Sequence, residues 1–139
     1  IITYSLGSCL GLTLYDPVAQ VGGMIHCMLP LSKIDTEKAK KNPEMFVDTG
    51  VPLLMQQVFD LGAKRSNLIV KAAGCGQLLD DKKLFKIGER NYTVLRKILW
   101  KNNILINGED VFGTKSRTMS LYMNDGKVTI KSGGTEREI

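Results

Sequence analysis

Apolar residues near the start of the chain fall into two short runs, "CLGLTLYD" (9–16) and "VGGMIHCML" (21–29). They read as strands joined at Asp16-Pro17, where proline presets the turn. The stretch "LSKIDTEKAKKNP" (31–43) has no sustained periodicity and reads as a polar surface loop or a short helix, the best candidate for a mobile lid. Beyond it Val51, Leu54, Met55, Val58 and Leu61 fall on one helical face. Pro52 is tolerable only in the first turn, which predicts a start near Asp48 or Thr49, with Asp48 as cap, Glu44 a solvated charge and Gly62 as stop. "NLIVKAAG" (67–74) reads as a buried strand. A second helix is predicted from about Asn91 to Trp100, with Val94, Leu95, Ile98 and Leu99 inward and Asn102-Asn103 closing it. Three further strands are predicted at "ILING" (104–108), "TMSLYM" (118–123) and "KVTIKS" (127–132), the last two flanking the hairpin signal Asn124-Asp125-Gly126. Strands at both ends with helices between them predict an α+β layered sandwich.

Composition narrows this picture. The 139 residues suffice for one domain, expected to span 1–139; because the chain opens Ile1-Ile2, a short N-terminal segment is expected to be missing. A hydrophobic fraction of 43% is ordinary for a globular protein, and no apolar run approaches the length of a membrane span. The net charge of +5 is spread over "KAKKN" (38–42), "KKLFK" (82–86) and "RKILWK" (96–101), without a nucleic-acid-binding motif. Solvated faces and attraction to an acidic protein partner account for it better than nucleic acid does. Cys9, Cys27 and Cys75 are an odd number without CxxC spacing, and a single histidine is too few for a zinc site. Free thiols in a reducing compartment are the simpler reading.

Candidate chemistry gathers around Cys9 and the only histidine, His26. If residues 16–19 form a four-residue loop, Tyr15 pairs with Gln20 and Cys9 faces His26 directly, close enough for a thiol–imidazole contact. An adjacent imidazole lowers a thiol's pKa and carries its proton, and a third group must hold the second ring nitrogen. Thr3, Ser5, Ser8 and Thr13 are candidates for that group; Thr3 reaches the site only if the chain bends at Gly7. Backbone N–H groups of Gly7-Ser8-Cys9 can also aim at an oxyanion. A one-residue slip of register at Gly22-Gly23 would separate the pair. On spacing alone a structural cysteine and histidine therefore stand beside a catalytic dyad. Cys27, one residue past His26, is expected to face the opposite side into the core, Cys75 to line the pocket or do nothing, and Arg117 to tie a loop.

"LGSC" followed by "YDPVAQVGGMIHCMLP" resembles the signature of the chemoreceptor glutamine deamidases of bacterial chemotaxis, the CheD family. The resemblance continues through "FVDTGVPLLMQQVFDLGA", "KIGERN" and "EDVFGTKSR". It implies Cys9 as nucleophile, His26 as base and Thr3 as third catalytic residue, beside the oxyanion or substrate-positioning role that the local sequence suggests for Ser8 and Gly7. It also implies a cytoplasmic hydrolase needing no cofactor or metal. Its substrates would be glutamines of methyl-accepting chemotaxis receptors, and its partners would include the phosphatase CheC. The implied fold is a three-layer α/β/β sandwich related to the catalytic domain of cytotoxic necrotizing factor. Hydrolysis of receptor methyl esters, and a non-catalytic receptor- or CheC-binding adaptor, are the alternatives. The chain departs from the family pattern where glycines are expected, at Ser5, Cys75 and Phe112.

Overall fold

A computed structural model of the chain describes residues 1–78 and 86–139. The two opening runs form an antiparallel hairpin of β2 (Leu10–Asp16) and β3 (Val21–Cys27), after a first strand, β1 (Ile2–Leu6), that belongs elsewhere. On its other edge β2 pairs antiparallel with β4 (Ile69–Gly74), which pairs in parallel with β5 (Gly108–Val111). Helix α3 (Ile87–Lys101) lies within the crossover that a parallel neighbour requires. β1 instead joins β6 (Arg117–Leu121), β7 (Val128–Ser132) and β8 (Thr135–Glu138) in a second, antiparallel sheet of order β1-β6-β7-β8.

Alternation along β2 separates two cores. Leu10, Leu12 and Leu14 pack with Ile25, Cys27, Val70 and Ala72 against α2 (Val47–Asp60) and against Leu95 and Leu99 of α3. On the opposite face Tyr15 and Ala73 meet Leu6, Met119, Leu121, Val128 and Ile130 of the second sheet. The protein is thus a mixed α+β fold with two sheets and, among the described residues, three helices, the third being the short α1 (Thr36–Lys41).

Several boundaries differ from the sequence expectation, each for a local reason. The hairpin loop is Pro17–Gln20, not residues 16–19. Asp16 ends the strand opposite Val21, and its carboxylate accepts N–H bonds from Val18, Ala19 and Lys64. Helix α2 starts at Val47, so Pro52 lies in the second turn, on the exposed side. Asp48 does not cap it; its carboxylate receives the N–H and hydroxyl of Ser32. Leu61, expected inward, is 69% exposed just past the helix end. The α3 helix begins four residues before Asn91. β5 begins where "ILING" ends, because the Asn107 side chain takes the Val70 N–H that a longer ladder would use. β8, "TERE", is exposed throughout and carries no apolar signal. Of the basic clusters, residues 82–85 lie outside the described residues.

The three departures from expected glycine share one property. Ser5, Cys75 and Phe112 all have positive φ, at 58°, 54° and 70°. This is the backbone that glycine adopts freely and a side chain resists, which accounts for the glycine expected there. Ser5 is exposed and offers the cleanest test. Ser5→Gly should gain roughly 0.5–1 kcal/mol, the left-handed cost of a side chain less the added chain entropy of glycine. Thermal melts should show the midpoint rising by about 2–4 °C; an unchanged or lower midpoint would count against strain at this position.

Candidate active site

The chain changes sheets between Leu6 and Leu10, and that crossing builds the site. Ser5 turns the backbone and its carbonyl accepts the N–H of Gly7 at 3.0 Å. Thr3 is thereby left in one sheet and Cys9 at the threshold of the other. Gly11 lets the sheets approach: a Cβ there would lie 2.7 Å from Leu6 Cδ1 and 3.0 Å from Met119 Sδ. Across the narrowed gap Thr3 Oγ1 stands 2.8 Å from His26 Nδ1.

The hairpin register pairs Gly11, not Cys9, with His26. The shift from expectation is two residues, so the face is preserved. Cys9 lies just before β2, two residues ahead of Gly11, the partner of His26. Cys9 packs against the inter-sheet core. Cys27 and Cys75 belong to the helix-side core and are buried, so Cys75 does not line the pocket. By strand parity its side chain would share the face of Ala73; the positive φ at Cys75 reverses it.

Three consecutive carbonyls of the crossing turn point inward and are engaged. The Gly7 oxygen accepts from Gly76 N at 2.8 Å, the Ser8 oxygen from Asn91 Nδ2 at 3.0 Å, and the Cys9 oxygen from Cys75 N at 2.8 Å. In planar trans peptides the Ser8 and Cys9 N–H groups then point away from that support. Gly7 contributes differently from expectation, because its own N–H is spent on Ser5; its missing side chain makes room for Leu78, whose Cδ1 would lie 2.9 Å from a Cβ. Gly74 is required by the Cys9 carbonyl, which a Cβ at that left-handed position would strike. Arg117 ties the neighbouring loop as expected, donating to Asp110, Gly74 O, Lys115 O and Phe112 O. Among the described residues no group of three His, Cys, Asp or Glu side chains is placed to hold a metal ion.

Asn91 received no role from the sequence. The signal was there: it stands on the helical stripe that continues with Leu95 and Leu99, where an apolar residue belongs.

A family model described as CheD chemotactic sensory transduction matches residues 28–132. The chain belongs to the CheD family. The matched segment starts just beyond His26, but full-length relatives cover the site as well. The probable chemoreceptor glutamine deamidase CheD 1 of Syntrophus aciditrophicus is 49% identical over 100% of this chain and 88% of its own length. The probable chemoreceptor glutamine deamidase CheD of Solibacter usitatus is 50% identical over 99% of this chain and 81% of its own. The probable chemoreceptor glutamine deamidase CheD of Pyrococcus horikoshii is 41% identical over 94% of this chain and 81% of its own.

The electrostatics of this CheD-family site are those of a neutral pair. Burial pushes the Cys9 thiol above its ordinary pKa, with its own backbone N–H pulling the other way. Burial likewise holds the His26 imidazole below its ordinary value. Burial thus works on both groups towards their uncharged forms, against the lowering that an adjacent imidazole exerts on a thiol. Cys27 and Cys75 are pushed up to about 12, chiefly by burial. All three cysteines are free, and only Cys9 is partly exposed. Titration of the native protein with a thiol reagent should count one reactive cysteine and three after unfolding. The native reaction should accelerate steadily as pH rises past neutrality, with no thiolate absorbance at pH about 7. A thiolate signal at that pH would mean that an ion pair is already formed.

Proposed function

We propose that the protein is an amide hydrolase that converts glutamine side chains of methyl-accepting chemotaxis receptors to glutamate. The names of the relatives supply the substrate class. The observation that carries the chemistry is the 2.8 Å contact between Thr3 Oγ1 and His26 Nδ1, made across two sheets on the face that also bears Cys9. In the working tautomer Nδ1–H donates to Thr3 Oγ1 and leaves Nε2 free to take a proton.

His26 Nε2 takes the thiol proton as Cys9 Sγ bonds to the carboxamide carbon, whose carbonyl electrons move to oxygen. The backbone N–H groups of Ser8 and Cys9 receive that oxyanion. The imidazolium returns the proton to nitrogen, the C–N bond breaks and ammonia leaves, giving a thioester. Water, losing a proton to His26, attacks the thioester; the C–S bond breaks and the thiol is restored as glutamate departs. A neutral resting pair suits this sequence, because proton transfer and attack are coupled rather than separated.

The reading carries with it a cytoplasmic location, a fold relation to the catalytic domain of cytotoxic necrotizing factor, and the phosphatase CheC as a partner. No helix among the described residues is long and apolar enough to cross a membrane.

Receptor fragments incubated with the protein should gain about one dalton per modified glutamine by mass spectrometry, with the chain uncut. Cys9→Ala and His26→Ala should each lose at least about 10³-fold in kcat, and Thr3→Val about 10- to 100-fold, with receptor binding retained. Deamidation that survives Cys9→Ala would end this mechanism. Fragments bearing methyl esters in place of glutamine, assayed alongside, separate amide from ester hydrolysis.

The pH profile carries its own sign. A base must be neutral to work, and burial lowers the pKa of His26, so its neutral form persists to lower pH than usual. The kcat/KM should accordingly be flat through neutrality and fall only below pH about 6.5. A fall that begins above that value would show a raised imidazole pKa and count against burial as the dominant influence on His26.

A further inference from the structure

Asn91 is fully buried, one turn inside α3. Its Nδ2 donates to the Ser8 carbonyl at 3.0 Å and to the Met28 carbonyl at 3.3 Å. Two oxygens facing one nitrogen settle which end of the amide is which. Its Oδ1 is also buried and has no hydrogen-bond partner among the described residues. A buried acceptor left without a partner destabilises the fold, and a leucine here would extend the apolar stripe without that cost. What the asparagine does achieve lies outside its own helix. Ser8 immediately precedes Cys9, and Met28 follows the strand that carries His26. The approach of α3 depends on Gly88, three residues earlier on the same side, because any Cβ there would strike the carbonyls of Cys75 and Gly76.

We propose that Asn91 is a positioning residue for the reaction: by holding the Ser8 carbonyl it fixes the Ser8–Cys9 peptide plane, and so aims the Cys9 N–H at the oxygen of the amide under attack. The inference rests on the amide-hydrolysis reading above. Its geometry follows from peptide planarity. The Ser8 C=O and Cys9 N–H belong to one trans unit and point opposite ways, so a carbonyl drawn towards α3 turns the N–H to the other side. Through Met28 the same side chain ties this peptide to the end of β3, fixing the donor relative to the imidazole as well. Donors held in advance at the place where charge develops act on the transition state rather than on substrate binding.

The test compares Asn91→Ala and the nearly isosteric Asn91→Leu with the parent. Folded fraction is read by circular dichroism and rates are expressed per folded molecule. Receptor-fragment deamidation should lose about 10- to 100-fold in kcat with KM within about threefold. Alkylation of Cys9 by iodoacetamide, a reaction that forms no oxyanion, should change by less than about threefold. A kcat per folded molecule within about twofold of the parent would overturn the proposal, as would a loss confined to KM. Cys9→Ala in the same series keeps the two ideas apart. If that variant remains active the Cys9 mechanism itself fails, whereas active Asn91 variants beside a dead Cys9→Ala reject only the positioning role.

Discussion

The constraint on which the site depends is a change of sheet. Between Leu6 and Leu10 the chain leaves one sheet and enters the other, and the turn that does so is held at three successive carbonyls by β4's exit loop and by α3. Because those oxygens are all committed to the interior, the turn has little freedom to rotate, and the residue at its end is presented in one orientation. An extended chain of six residues would carry Thr3 roughly 20 Å from Cys9. The crossing folds that separation back on itself, and the hydroxyl comes to rest against the imidazole of a third strand.

The arrangement divides labour between the two faces of the central sheet. The helix side is closed and apolar; it takes Leu10, Leu12 and Leu14, together with two thiols whose burial removes them from acid–base chemistry at neutral pH. The inter-sheet side holds Cys9 and His26 in partly exposed positions, with glycine at 11 where a larger residue would hold the layers apart. Strand parity on β3 turns Cys27 away from this face, and beyond β4 the left-handed backbone at Cys75 accompanies the same outcome for the third thiol.

Much of this was legible from the residues, and the failures are instructive. The hairpin, the Asn124-Asp125-Gly126 turn and the inward faces of both long helices follow from apolar spacing. The register did not, because Asp16 looks like a loop residue; only its carboxylate, gathering amides from the loop and from Lys64, explains why it ends a strand. Asn91 reads in the sequence only as the approximate start of its helix. Asparagine favours helix caps, yet here it sits inside the helix and serves another segment's backbone. β1 and β8 left no alternation to read, being edge strands with mostly exposed side chains. The roles proposed for Cys9, His26 and Thr3 rest on family resemblance more than on pattern; the bend at Ser5–Gly7 that brings Thr3 to His26 depends on a left-handed residue that no periodicity signals.

The uncharged condition of Cys9 has a bearing on durability. Peroxides and other electrophiles attack thiolates far faster than thiols. A sulfur kept protonated by its surroundings is sluggish towards such agents. Burial that favours the thiol works against oxidation of the idle molecule, and in the proposed mechanism reactivity is released by proton transfer at the moment a carbonyl carbon is in reach.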